Sequence, residues 1–264
     1  MGRRGIAAII LAIPVAAGLA YLQIFGAPAR YLAINAAALL TSIVIIAVMP
    51  KIGVMTRRVL IAILLAVLFV PLLTGPSVSG VARWLPVGPF QPHAGMLAIP
   101  LLAVLCAEEP DHAPAVLSLA LFATLLQPDM ASAAALMLAA VGLCDATRDW
   151  RYAAFSVVAF VVALVAAMRG ELPAQPFVEH VIFAVARTDP LAALALLAAL
   201  VISFYLMAGA VYGSQPSRKS LAGSLFGFSF AGLVSNYPSA LIGYGATPIL
   251  GYGLALAAQQ PRGA

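Results

Sequence analysis

Long uninterrupted apolar stretches recur from one end of this chain to the other, separated only by short polar or Pro/Gly-containing breaks. A helix rising 1.5 Å per residue needs about 20 such residues to cross a hydrocarbon core of about 30 Å. Repetition of that pattern restricts the chain to an all-α, polytopic membrane helical bundle. Read between breaks, the spans are 5–25, 31–50, 59–75, 94–107, 113–127, 130–144, 152–168, 190–212, 221–235 and 240–258, about ten transmembrane helices. They occupy nearly all of residues 1–264, so a single integral membrane domain is expected, with no room for a separate soluble one. Charged residues make up only 9% of the chain, against about 25% in soluble domains. The opening MGRRG and the apolar run behind it have the order of a signal peptide, but the run to Phe25 is long for one and reads as a retained first helix.

The net charge of +5 is spread over short loops and forms no basic face, which excludes nucleic acid as a partner. In a membrane chain these charges report orientation, because Lys and Arg are retained on the cytoplasmic side. With the first loop inside, Arg3, Arg4, Lys51, Arg57, Arg58, Arg148, Arg151, Arg218, Lys219 and Arg262 are cytoplasmic, and Arg30, Arg83, Arg169 and Arg187 are outside. Both termini then lie in the cytoplasm. The segments Arg83 to His93, Gln127 to Asp129, Arg169 to Pro190 and Ser235 to Gly245 share the outer face. Cys106 and Cys144 fall at cytoplasmic helix ends and read as free thiols.

Three central spans are short. Fourteen residues reach only about 21 Å, and their polar, Pro-containing break at Gln127-Pro128-Asp129 suggests discontinuous helices lining a cavity. Asp129 reads either as an N-cap carboxylate for the helix that follows or as a partner of Arg83 in a polar cavity, since an acid at membrane depth needs compensation. Arg83-Trp84 puts a guanidinium suited to phosphate beside an interfacial indole, which alone is ordinary anchoring. Glu179-His180 pairs a carboxylate with an imidazole on the outer side, either as a general base or as solvated loop residues, among the acids Glu171 and Asp189. His93 reads as an interfacial histidine, and Glu108, Glu109, Asp111 and His112 as a cytoplasmic acidic turn without metal-site spacing. The small residues Gly223, Gly227, Ala231 and Ser235 recur every fourth position and read as a helix-packing stripe. No nucleotide, dinucleotide, zinc-protease or serine-hydrolase fingerprint stands in a usable context, so no cofactor or metal is expected.

Three segments resemble the SEDS family, the FtsW/RodA type of peptidoglycan polymerase. Gly80 to Phe90, GVARWLPVGPF, is similar to the family's outer loop. Leu125 to Ala135, LLQPDMASAAA, is similar to its LLQPDLGTALV segment. Pro238 to Leu250, PSALIGYGATPIL, is similar to its C-terminal LPFISYGGSSLL motif, with Tyr244, Gly245 and Thr247 in corresponding places. The resemblance implies a SEDS-like bundle in the bacterial inner membrane that serves cell-wall synthesis, shape or division. It implies an outer-leaflet site for a polyprenyl-pyrophosphate-linked glycan such as lipid II, and a transpeptidase or other membrane-protein partner. On that reading Arg83, Trp84, Gln127, Asp129, Tyr244 and Thr247 bind substrate and Glu179 and His180 carry the chemistry. The chain departs from the family on the fourth helix. His93, Ala94, Met96 and Ile99 stand at its Gln, Pro, Glu and Lys, or, in a register using Gln91-Pro92, Gly95 and Ala98 stand at the acid and base. The large outer loop of the family is reduced to roughly 169–186. Setting Phe183-Ala184 on the FA of its TDFIFA-like segment places His180 at the family's Asp. A non-catalytic scaffold on the same fold is therefore the competing reading, and a small-solute transporter a third.

Overall fold

A computed structural model describes residues 2–78, 80–88, 90–170 and 172–259. Pro89, Glu171, Arg262 and the side chain of Arg3, named above, lie outside the described residues.

The described chain forms eleven helices in the order α1 (Arg3–Ile24), α2 (Ala29–Val48), α3 (Val54–Thr74), α4 (Ala94–Ala107), α5 (Ala113–Leu126), α6 (Met130–Thr147), α7 (Trp150–Ala167), α8 (Val181–Ala186), α9 (Pro190–Gly209), α10 (Gln215–Val234) and α11 (Ala246–Ala258). Six of them, α1, α2, α3, α6, α7 and α9, are long and apolar enough to cross a membrane. Helices α4, α5 and α11 are shorter apolar helices. The polytopic bundle read from the sequence is present.

Three spans start elsewhere than hydropathy placed them. Helix α3 begins at Val54 rather than 59, and α10 at Gln215 rather than 221, because Arg57, Arg58, Arg218 and Lys219 sit in first turns where long cationic side chains reach out of the apolar zone. Ser214 also caps α10, accepting the Ser217 N–H at 3.2 Å. Helix α11 begins at Ala246 rather than 240, because Ser239 to Gly245 form a turn with Leu241 at φ 66°. The segment read as an outer loop at 169–190 contains α8, whose Val181 and Val185 bury one face.

The small-residue stripe is internal packing. A Cβ on Gly227 would lie 2.5 Å from Ala134 O and Ala135 Cα, and one on Gly223 would overlap Leu138 O, so α10 lies directly on α6. Short connections collect at the two ends of the bundle. At one end the four segments expected to share a face do meet. Arg83 bonds the carbonyls of Pro128 and Gly170, and Asn236 joins His180 to Leu172. We call this end the crown. At the other end, the base, Arg57 and Arg58 pair with Glu109, Ser214 with Glu108, and Lys219 with Asp145.

Candidate functional site

The crown is organised by a narrow ribbon between α3 and α4. Leu85 N–H donates to Pro92 O at 2.9 Å and Ala94 N–H to Arg83 O at 3.0 Å, so residues ten apart in sequence, Arg83 and His93, emerge side by side. Both are buried. The Arg83 Nη2 donates to Pro128 O at 3.3 Å and to Gly170 O, and the guanidinium lies 4.6 Å from the Tyr237 ring centroid and 5.6 Å from that of Trp84.

Asp129 takes the N-cap role, while the expected pairing with Arg83 is replaced by a contact with His93. Its Oδ1 caps α6 by accepting the Ser132 N–H at 3.1 Å, and its Oδ2 faces into the cluster, 3.5 Å from His93 Nε2. Arg83 therefore sits against the turn that carries Asp129, with His93 rather than Arg83 directly on the carboxylate. The interfacial reading of His93 is corrected: it is 5% exposed, and its Nδ1 accepts the Met96 N–H at 3.3 Å, capping α4. Tyr237 closes the group from the α10–α11 connection, its hydroxyl accepting the Met130 N–H at 2.9 Å.

Asn236 links this buried cluster to the surface of the crown. Its Nδ2 donates to Leu172 O at 2.8 Å, so its Oδ1 is the acceptor for His180, whose Nε2–H donates at 2.6 Å. That leaves His180 Nδ1 without a proton and able to take one. His180 is the N-cap of α8 at φ 52°, a left-handed conformation that histidine adopts more readily than most residues. The Glu179 carboxylate accepts the Gln175 N–H at 2.5 Å, and burial holds its pKa above the usual value despite that bond and the neighbouring imidazole.

The remaining candidates lie apart. Gln127 is buried and donates to Leu68 O, tying the α5–α6 turn to α3. Tyr244 stacks on Tyr31 with centroids 3.7 Å apart, and Tyr31 in turn meets Phe177 edge-on and lies under Arg30. Its N–H reaches Phe177 O at 2.7 Å, which connects this aromatic group to the Glu179 loop. Thr247 is half-buried in the first turn of α11. Sequence reasoning missed Ser132, Asn236, Tyr237 and Gly170. The adjacent Asn236-Tyr237 at the outer end of an apolar helix was the one available signal.

A helical membrane bundle whose loops converge on a buried Arg, His, Asp and Tyr cluster at one face defines a polytopic protein with its polar site at a membrane surface. No protein-family model and no curated protein match the sequence. Its fold is that of the rod shape determining protein RodA of Thermus thermophilus, with a TM-score of 0.71 and 19% identity over 95% of this chain and 94% of that one. An alanine mutant of the same protein gives 0.72 and 20% over 95% of each chain. A chain of a peptidoglycan synthase complex that coordinates polymerization and crosslinking gives 0.63 and 18% over 95% of this chain and 96% of that one. The three sequence segments that resemble the SEDS family thus lie in a bundle with the RodA fold.

Proposed function

We propose that the chain is a divergent SEDS-type protein of cell-wall synthesis, crossing the bacterial inner membrane about ten times with both termini in the cytoplasm. The crown then faces outward and binds a polyprenyl-pyrophosphate-linked glycan such as lipid II. What carries the reading is the convergence, in a RodA fold, of the GVARW and QPD segments on each other: Arg83 bonds the carbonyl of the residue preceding Asp129. Arg83 and Asp129 act by shaping the crown from beneath. Arg169, exposed next to the Gly170 carbonyl that holds Arg83, is placed to meet pyrophosphate, and Trp84, Tyr244 and Thr247 border the glycan. In the enzymatic reading His180 is the base, its Nδ1 taking the proton of the acceptor hydroxyl as that oxygen bonds the donor's anomeric carbon and the polyprenyl pyrophosphate leaves it, while Asn236 fixes the tautomer. Glu179 supports the loop that presents it.

The second reading, a non-catalytic scaffold for a transpeptidase or another membrane partner, is favoured by two observations. Glu179 is engaged with Gln175 N–H, and Ala98, Met96 and Ile99 on α4 offer no charge toward the site. Polymerisation of lipid II by the purified protein, with and without a candidate transpeptidase, separates the two. In the enzymatic case the His180→Ala variant loses at least about 100-fold in rate. Turnover unchanged in the Glu179→Ala/His180→Ala double variant removes those residues from catalysis. A protein that binds lipid II without turnover is the scaffold.

A further inference from the structure

Four polar side-chain atoms within the crown cluster have no hydrogen-bond partner among the described residues: Arg83 Nε, His93 Nε2, Asp129 Oδ2 and Ser132 Oγ. All four residues are at least nineteen-twentieths buried, with exposures of 3%, 5%, 0% and 0%. A buried polar atom left unpaired costs about 1 to 3 kcal/mol, so four in one place call for a common partner.

The hydrogen inventory says what that partner is. Because His93 Nδ1 accepts the Met96 N–H, the network assigns its proton to Nε2, which is a donor. Arg83 Nε–H is also a donor. Asp129 Oδ2 is an acceptor, and Ser132 Oγ can accept. The cluster thus presents two donors and two acceptors. An anion is repelled by Asp129 and a cation by Arg83, and either would leave half of the groups unmatched. Neutral water, which accepts two hydrogen bonds and donates two, complements all four. His93 Nε2 and Asp129 Oδ2 lie 3.5 Å apart, too long for a good hydrogen bond, so a water hydrogen-bonded to both would improve on the direct contact. Gly95 lets the Ser132 hydroxyl into this group: a Cβ there would overlap Ser132 Oγ and stand 3.2 Å from Asp129 Oδ2, so any larger residue displaces that hydroxyl.

We propose that this quartet is a binding site for one internal water, and that the water rather than a direct ion pair couples the Arg83 ribbon and the α4 cap to the N-terminus of α6. The site lies beneath the crown and is separate from the His180 surface. Its presence depends on hydrogen-bond complementarity and not on what the protein binds.

Radiolytic footprinting of the purified protein tests it, because an X-ray pulse generates hydroxyl radicals from bound as well as bulk water. Tyr252, fully buried with its hydroxyl paired to Ser224 at 3.1 Å, is the internal reference. After normalisation for intrinsic reactivity, His93 is expected to oxidise at least roughly fivefold faster than Tyr252. On mixing into oxygen-18 water, label should reach His93 more slowly than the exposed His112. Ser132→Ala, which removes one acceptor without adding volume, should lower the His93 rate by roughly twofold or more. The proposal is overturned if wild-type His93 oxidises no faster than Tyr252, or if it takes up label as fast as His112. Density resolving His93 Nε2 in direct contact with Asp129, with no peak within reach of the four atoms, overturns it equally. Both of those measurements use the unaltered protein, so a variant that fails to fold does not shield the idea.

Discussion

Both ends of the bundle carry charge, but they handle it differently. At the base, charged side chains meet opposite charges directly. Glu109 takes Arg57 at 2.8 Å and Arg58 at 3.2 Å, Asp149 takes Arg151 at 2.7 Å, and Lys219 reaches Asp145. Most of these groups are partly exposed. At the crown, Arg83, His93 and Asp129 are withdrawn from solvent, and their contacts are shared among four connections that are distant in sequence. The base is stapled by pairs; the crown is held by a network whose members have no substitute partner. Buried, mutually dependent polar groups of that kind are expensive in a stability sense and collect at functional sites.

The sharpest way to break the comparison is Asp129→Ala. It removes the α6 cap and the carboxylate oxygen that faces His93, and it should destabilise by about 2 to 4 kcal/mol. Asp129→Asn keeps an oxygen for Ser132 N–H and should cost about 1 to 3 kcal/mol. Thermal unfolding in detergent measures both. If Asp129→Asn proves as stable as the unaltered protein while Asp129→Ala does not, only the cap matters and the crown is no network.

A base counterpart is Glu109→Gln. Glu109 is 7% exposed, but Arg58 is 56% exposed and screened, so the expected loss is about 1 to 2 kcal/mol. A loss as large as that of Asp129→Ala would erase the contrast between the ends.

How much of this was legible follows from range. The bundle was readable because hydropathy is a local property: α4 and α5 fall where their apolar runs do, within a residue. The Asp129 cap was readable because Pro128-Asp129 precedes a long apolar run. The meeting of the GVARW, QPD and C-terminal segments at one face followed from counting spans. His93 was not legible as a site residue, because its burial depends on the backbone ribbon that folds residues 83 and 93 together. Tyr237 was hidden for the same reason, since its partner Met130 is 107 positions away. Gly95 has an added significance. In the register that uses Gln91-Pro92 it stands where the resembling family carries an acid, and in the structure the place of its missing side chain is taken by the Ser132 hydroxyl, next to Asp129. The sequence showed a charge lost there; only the packing showed that a serine fills the place beside a carboxylate.

The smallest effect contrasts the ends by the sign of their pH dependence. Burial tends to raise the Glu109 pKa, but hydrogen bonds from Arg57 and Arg58 outweigh it and hold the carboxyl below its usual 4.5. The folded state then binds fewer protons than the unfolded one, so the contribution is complete above 4.5 and is lost as pH falls through the depressed value. Glu179 is opposite, raised above 4.5 mainly by burial in the crown loop. Its folded state holds the proton more tightly, so its contribution is complete below 4.5 and declines as pH rises through the raised value. Glu109→Gln should therefore flatten the pH dependence of unfolding on the acid side of 4.5. Glu179→Gln should flatten it on the other side, by a smaller amount because the loop is partly exposed. Two slopes of the same sign would mean that the crown loop, like the base, is governed by its nearest charges rather than by withdrawal from water.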